Sequence, residues 1–119
     1  FNAMVMCIFA NIPVETVVDL VNTVCGYDWD TEDLFRSGER AWNLKRAINI
    51  RMGLKRDNDR LPQALLEPYQ AGGSAGYVPP FSEMLTAYYE VRRWDPITGK
   101  PSKEILTNLG LEWIVQDIY

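Results

Sequence analysis

The pattern of apolar and polar residues predicts two helices in the first half of the chain. Valines follow Pro13 at helical intervals as far as Gly26, a residue that commonly ends a helix. A second, longer helix is predicted to begin at Asp30 or Thr31, whose side chains can cap it, and to end near Met52. Its expected core face is an apolar stripe at helical spacing, made of Leu34, Ala41, Trp42, Leu44, Ile48 and Met52.

The second half of the chain is predicted to contain two shorter helices. Pro80 starts a pattern that runs to about Arg93, and Ser102 can cap a helix over 103–109 that Gly110 closes. The connections between helices are rich in glycine, proline and charged residues, which is typical of surface loops. The apolar C-terminal residues are predicted to dock as one more helical turn. The sequence therefore predicts an all-α, irregular domain of four to five helices.

The stretch from Gly38 to Pro62 combines the centre of the long helix with a charged loop. The helical pattern breaks at Gly53, and the polar residues 54–60 follow. A rigid helix that delivers a polar loop to one point is a common way to build part of a site. A glycine inside a helix costs about 1 kcal/mol relative to alanine. We therefore expect another element to approach Gly38 closely.

Composition narrows the function classes. The 119 residues fit one domain, and 47% hydrophobic residues are enough for a core. The net charge of −4 argues against a general nucleic-acid binder, which needs a basic surface. No apolar run approaches the roughly 20 residues of a membrane span, and no signal peptide is visible. With only two cysteines, a reducing cytoplasm is the expected compartment, and no membrane partner is expected. The chain has no histidine, which excludes histidine-based general bases and zinc ligands within it.

The basic residues of the central stretch allow two interpretations. Lys45, Arg46, Arg51, Lys55, Arg56 and Arg60 could form an anion-binding face, or they could lie on a solvated helix face with Glu39 as a partner. The segment Asp57-Asn58-Asp59 does not follow the pattern of a calcium loop and is expected to have turn and capping roles. Aromatic residues at helical spacing are expected in the core, namely Trp42, Tyr88, Tyr89 and Trp94.

The two cysteines, Cys7 and Cys25, are too few for a disulfide framework. Cys7 lies in a short apolar run, where a free cysteine is most often a small buried hydrophobe. The alternative is a single ligand of a metal or an iron–sulfur cluster. A four-iron cluster usually needs four thiolates. The other ligands would then have to come from outside this chain.

Several motifs along nearly the whole chain resemble the C-terminal domain of the tungsten-containing aldehyde ferredoxin oxidoreductase family. The resemblance is densest in the central stretch and continues through the third helix to the C-terminal region. The motifs are Gly38-Glu39-Arg40, Asn43-Leu44, Ala47-Ile48-Asn49, Arg51-Met52-Gly53, Arg56-Asp57, Asp59, Leu61-Pro62, Glu67-Pro68, Met84-Leu85, Tyr88-Tyr89, Arg92, Trp94-Asp95, Gly99-Lys100-Pro101 and Leu109-Gly110-Leu111.

The resemblance implies a role for the N-terminal segment. In that family a motif Asp-x-x-Gly-Leu-Cys supplies the fourth ligand of a 4Fe–4S cluster beside a bis-pterin tungsten centre. By resemblance Cys7 is that ligand, and Met6 and Ile8 lie near the pterin. Here the motif's aspartate and glycine are replaced by Asn2 and Val5. Residues 1–3 look like an expression scar, and the chain looks like a piece excised from a larger multidomain enzyme.

The resemblance also implies that part of this chain lines a channel, but it does not identify the substrate. The loop residues Arg56, Asp57, Asp59 and Arg60 would lie towards the cofactor or substrate channel. Two further departures leave substrate and subfamily open, because Ala64 stands where the family often has arginine, and Arg93 where it often has glycine.

The function implied is that of a parent enzyme of which this chain is a non-catalytic part. The parent would oxidise aldehydes to carboxylic acids with tungstopterin (or molybdopterin) and a 4Fe–4S cluster. Its partners would be the N-terminal domains of the same protein and ferredoxin, and a homodimer is compatible with it. The family's other cluster cysteines and its active-site histidine would lie upstream. The isolated fragment is expected to hold no cofactor. Two alternatives stay open: a stand-alone helical interaction module, and a related family member that acts on another carboxyl-level substrate.

Overall fold

A computed structural model describes residues 4–119, and these residues form an all-α domain. The predicted fold class is therefore confirmed. Short 3-10 turns join the α-helices, and the described residues contain two isolated β-bridges but no sheet. The helices are α1 (Val14–Cys25), α2 (Thr31–Arg51), α3 (Phe81–Arg92), α4 (Lys103–Asn108) and α5 (Val115–Ile118). Residues 1–3, which were predicted to be an expression scar, lie outside the described residues.

The predicted start of α2 is confirmed, and Asp30 is its cap. The Asp33 N–H donates to Asp30 Oδ1 at 3.0 Å, and the Asp30 N–H donates to Asp33 Oδ2 at 3.2 Å. Two backbone donors at the helix end are thereby satisfied reciprocally. Pro13 was expected at the first helical position of α1 and lies one residue earlier. The predicted cap of α4 is also present, since Ser102 Oγ accepts from the Ile105 N–H at 3.2 Å.

Three helices end in the same hydrogen-bonded motif with a left-handed residue after the helix. Gly53 and Gly110 have φ angles of 96° and 64°, which glycine adopts at little cost. At the end of α3 the left-handed residue is Arg93, with φ 53°. The Trp94 N–H then donates to the Tyr89 carbonyl at 2.9 Å, which closes the motif. An arginine at this position carries a steric cost that the two glycines avoid.

The hydrophobic core lies at the C-terminal end of the domain, where α4, α5 and the second half of α2 meet. The docking predicted for the C-terminal residues is confirmed, because Leu111, Ile114 and Ile118 are buried. The side chains of this core are Ala47, Ile105, Leu106, Leu109, Leu111, Ile114 and Ile118, with Leu44, Ile50 and Val115 packed against them.

The predicted core face of α2 is only partly correct. Its buried residues are Asn43, Arg46 and Ala47. In contrast, Ile48 and Met52 of the predicted stripe are 49% and 79% exposed. The helix turns its polar Asn43–Arg46 side inward because hydrogen-bonding and charged partners are available there. Leu44 of the predicted stripe packs against the core, and Trp42, Ile48 and Met52 are exposed.

The close approach expected at Gly38 is also absent among the described residues. A Cβ added to Gly38 would have no other atom within 4 Å. The long connection between 67 and 80 is a surface loop, as predicted, and nearly all of it is exposed. No helix in the described part of the chain combines the length and the apolar composition required to cross a membrane.

Candidate functional site

A buried ion pair joins α2 to the polar loop at 54–60. The guanidinium of Arg46 contacts Asp59 through two parallel hydrogen bonds, Nη1 to Oδ1 at 2.8 Å and Nη2 to Oδ2 at 2.6 Å. The Arg46 side chain is only 6% exposed, and that of Asp59 is 22% exposed. A bidentate pair of this kind fixes both distance and orientation. The loop is therefore held against the helix at one defined point.

Two further groups complete the hydrogen bonding of Arg46. Its Nε donates to the Gly99 carbonyl at 2.8 Å, and the Tyr89 hydroxyl lies 3.2 Å from Nη2 and donates to Asp59. The guanidinium carbon also lies 4.8 Å from the centre of the Trp94 ring, a cation–π distance. Gly99 has φ 71°, and a Cβ there would collide with the guanidinium. Only glycine therefore fits this turn.

The same network orients the neighbouring aromatic residue. Trp94 is buried, and its Nε1 donates to Asn43 Oδ1 at 2.9 Å. The Asn43 amide in turn donates to the Glu39 carbonyl, one turn earlier in α2, at 3.0 Å. Within the described residues no buried side-chain nitrogen or oxygen lacks a hydrogen-bond partner. A buried polar cluster that is fully satisfied in this way is rigid.

The network shifts the pKa values of its three ionisable members. Burial opposes the charge of Asp59, but the hydrogen bonds from Arg46 and Tyr89 outweigh it and hold the pKa of this carboxyl below its usual value. Burial likewise opposes the charge of Arg46, yet the bond and charge of Asp59 raise its pKa. Burial, followed by the hydrogen bond to Asp59, raises the pKa of Tyr89 to about 12. The cluster is thus a charged pair with a neutral phenol at neutral pH.

An open cleft of about 380 Å³ lies over this cluster, between α2 and α3. Its walls are mostly aromatic and aliphatic, and two cations, Lys45 and Arg60, stand beside them. An apolar cleft with a few convergent polar groups is the usual form of a small-molecule or substrate site. The other lining residues are Trp42, Arg46, Asn49, Leu54, Asp59, Phe81, Leu85, Tyr88, Tyr89 and Trp94.

The structure brings some of the predicted channel residues together and separates one. Asp59 and Arg60 line the cleft, and the guanidinium carbon of Arg56 lies 5.2 Å from the Tyr89 ring centre. Asp57 is exposed and lines a different groove with Arg56 on the far side of the loop. The turn role expected for residues 57–59 is confirmed for Asn58, whose Oδ1 accepts from the Lys55 N–H at 2.8 Å.

Neither interpretation of the basic residues describes Arg46. It is buried rather than on a solvated or anion-binding face, and its partner is Asp59 and not Glu39. Arg51 pairs with Asp117 at 3.4 Å. Nothing in the one-dimensional pattern separates Arg46 from the adjacent Lys45. The buried pair depends on residues that meet only after folding. Of the aromatic residues expected in the core, Tyr89 and Trp94 are buried and Trp42 is 40% exposed.

Cys7 lies outside the hydrophobic core. Its thiol is free and exposed, so the expectation that it is a buried hydrophobe is wrong. Met6 beside it is half-buried, and Ile8 begins a short 3-10 turn that ends at Ala10. Cys25 is also free, and it is exposed at the end of α1. Among residues 4–119 no group of three or more acidic or cysteine side chains could hold a metal ion. Cys7 thus offers a single thiol, which is too few donors to hold a metal or a cluster by itself.

The chain is similar to known proteins along most of its length. The family described as "Aldehyde ferredoxin oxidoreductase, domains 2 & 3" matches residues 1–111. The chain is 37% identical over 115 residues to the tungsten-containing aldehyde ferredoxin oxidoreductase of Pyrococcus abyssi, covering 93% of this chain and 19% of that protein. It is 39% identical over 111 residues to the protein of that name from Pyrococcus furiosus, covering 89% of this chain and 18% of the relative. It is 34% identical over 114 residues to the protein of that name from Thermococcus kodakarensis, covering 92% of this chain and 19% of that relative. The chain thus spans about a fifth of the length of these curated relatives. The resemblance predicted from the motifs is confirmed, and the chain belongs to the aldehyde ferredoxin oxidoreductase family.

Proposed function

We propose that this chain is the C-terminal helical domain of a tungsten (or molybdenum) pterin, iron–sulfur aldehyde:ferredoxin oxidoreductase. In the parent, an aldehyde and water give a carboxylic acid, two protons and two electrons, and the electrons leave through a 4Fe–4S cluster to ferredoxin. The observation that carries the proposal is the match of residues 1–111 to this one family. The 37% identity to a tungsten-containing relative over 93% of the chain favours tungsten.

The role proposed for Cys7 is that of one cluster ligand. Iron–sulfur clusters are held by cysteine thiolates and supply one-electron transfer when bound. A free, exposed thiol that is not part of the core fits this role. This chain offers no complete ligand set of its own among the described residues, so the remaining ligands belong to the rest of the parent. Met6 and the backbone at Ile8 would then contribute contacts on the pterin side.

The polar loop is proposed as one lip of the substrate channel. Its pairing with Arg46 keeps Asp59 charged and fixed. Arg60 then lines an aromatic wall, where its positive charge would attract a carboxylate. Arg56 and Asp57 would form the outer side of the lip. In this arrangement the loop positions other groups, and none of its residues needs to change protonation state during the reaction.

The proposal also predicts the behaviour of the isolated chain. It should be purified colourless, without absorbance near about 400 nm, where iron–sulfur clusters absorb. It should also lack aldehyde-oxidising activity, because it supplies one ligand of a site that is completed elsewhere. A stoichiometric four-iron cluster on the isolated chain would contradict this assignment.

The matched variants Cys7→Ser and Cys25→Ser test the ligand assignment in the full-length protein that carries this chain. Both cysteines are exposed and free, so the two changes are alike in burial. We expect Cys7→Ser to lose iron and ferredoxin-dependent aldehyde oxidation, and Cys25→Ser to keep both. Equal iron and activity in the two variants would refute the ligand role. Tungsten and molybdenum analysis of the same preparations, with a panel of aldehydes, identifies the metal and the substrate class.

A further inference from the structure

The long helix α2 has a second face that the described chain covers only in part, where Met4 and Val14 border its groove. Leu34, Gly38 and Ala41 line a groove of about 520 Å³ together with Phe35, Trp42 and Lys45; we call these six residues the Gly38 face. At 100° per residue, their centre lies about 135° around the helix from the buried Asn43–Ala47 side. Ile48 and Met52 extend the stripe to the end of the helix. Phe35 is 63% exposed and Trp42 is 40% exposed.

This face has the composition of a packing surface rather than a solvated one. It contains Leu34, Ala41 and Trp42 of the apolar stripe that the sequence predicts as the core side of α2. Small residues at Gly38 and Ala41 permit close backbone approach. A glycine in a helix interior lowers helix stability, and Gly38 has no neighbour within 4 Å of its Cβ position to explain its presence. Both features are accounted for if another element packs there.

The amount of exposed surface points the same way. The described chain has an accessible surface of 8680 Å², whereas a compact monomer of 13.7 kDa exposes about 6,600 Å². Its radius of gyration is 17.8 Å, against about 13.5 Å for a compact domain of this length. The excess of roughly 2,000 Å² exceeds the ~800 Å² that one partner buries in a standard interface. Surface of this kind is typical of a domain that packs against more protein.

We infer that the Gly38 face is the docking surface for a segment of the parent polypeptide that lies outside this chain. The inference rests on the proposed function in one respect, that the chain is part of a larger protein. The relatives supply the length for such a segment, since this chain covers only 19% of them. The segment places an apolar side chain over Gly38.

Positive charge at one end of the groove indicates the charge that the docked segment carries there. Lys45 and Arg92 lie beside the Trp42 ring, with Lys45 Nζ at 6.0 Å and Arg92 Cζ at 5.9 Å from its centre. Both line the groove, as does Glu39, but no ion pair joins either cation to Glu39 or to another partner among residues 4–119. The docked segment therefore carries a carboxylate towards this end.

The test compares Gly38→Ala and Gly38→Leu in two contexts, this chain alone and the full-length protein. In the chain alone the added side chain meets open space, and alanine is the better helix former, so Gly38→Ala should raise Tm by about 4 °C. In the full-length protein Gly38→Ala should no longer raise Tm. Gly38→Leu should lower Tm there and should increase proteolysis between this domain and the rest. Ala87→Leu is the matched control, because Ala87 is an exposed small residue within α3 that lies outside both the Gly38 face and the cleft between α2 and α3.

Each outcome decides the inference. The same effect of Gly38→Leu in both contexts, or an equal loss of full-length Tm from Ala87→Leu, would overturn it. Sedimentation of the isolated chain tests whether a second copy of the chain, rather than a segment of the parent, covers this face. A dimer that Gly38→Leu converts to a monomer would show that a second copy does. The docking inference is tested by Tm, proteolysis and mass, whereas the oxidoreductase assignment is tested by metal content and activity. Either one can therefore be refuted while the other stands.

Discussion

Replacement of Asp59 by alanine is expected to destabilise the domain by about 3 kcal/mol. The change leaves Arg46 buried and without its carboxylate, and an arginine cannot escape by losing its proton. Breaking a buried ion pair typically costs about 3–5 kcal/mol. The lower end applies here, because the Asp59 side chain is 22% exposed and Arg46 keeps its bonds to Gly99 and Tyr89.

This loss should be visible as a shift in thermal unfolding. An unfolding entropy of about 2.1 cal/mol/K per residue gives about 0.25 kcal/mol/K for a chain of this length, so Tm should fall by about 12 °C. The matched control is Asp57→Ala, two residues away and exposed, with an expected change within about 0.5 kcal/mol. In the double variant Arg46→Met with Asp59→Ala, no buried charge remains, and most of the lost stability should return.

The pH dependence provides a second measurement on the same variants. The pKa of Asp59 is lowered in the folded state. Its contribution to stability is therefore present above the unfolded value of about 3.9 and is lost as pH falls through the folded pKa. The difference in unfolding free energy between wild type and Asp59→Ala should shrink below about pH 4. The reasoning is refuted if Asp59→Ala costs no more than Asp57→Ala, or if the difference is the same at pH 3 and pH 7.

Two further predictions concern a helix end and the buried phenol. Arg93→Gly should raise the free energy of unfolding in urea by about 1 kcal/mol, because it removes the strain of a left-handed arginine. Gly110→Ala, in the same motif, should lower the free energy of unfolding by a similar amount. The same change in stability from both substitutions would contradict this reasoning. In an ultraviolet titration, Tyr89 should ionise only near pH 12. Since its folded pKa is raised, its contribution to stability is complete below about pH 10 and is lost as pH rises towards 12.

Much of the fold could be predicted from the sequence because the signals that end helices are local. Asp30, Gly53 and Gly110 act through hydrogen bonds to backbone groups within about five residues, so their chemistry is readable in one dimension. The motifs between Gly38 and Pro62 also carried the family assignment. Cys7 shows the limit of this approach, because its apolar neighbours predicted burial and the fold leaves its thiol exposed.

The tertiary structure alone decided which face of α2 is buried. The sequence favoured the apolar stripe, since burial of apolar surface is the usual driving force. Arg46 lies inward because Asp59 and Tyr89, which are 13 and 43 residues away in sequence, satisfy its charge and hydrogen bonds. Such a pairing depends on how loop and helix meet, which no local pattern encodes. Of the apolar stripe, Leu44 packs against the core, whereas Ile48 and Met52 face outward in the fold of residues 4–119.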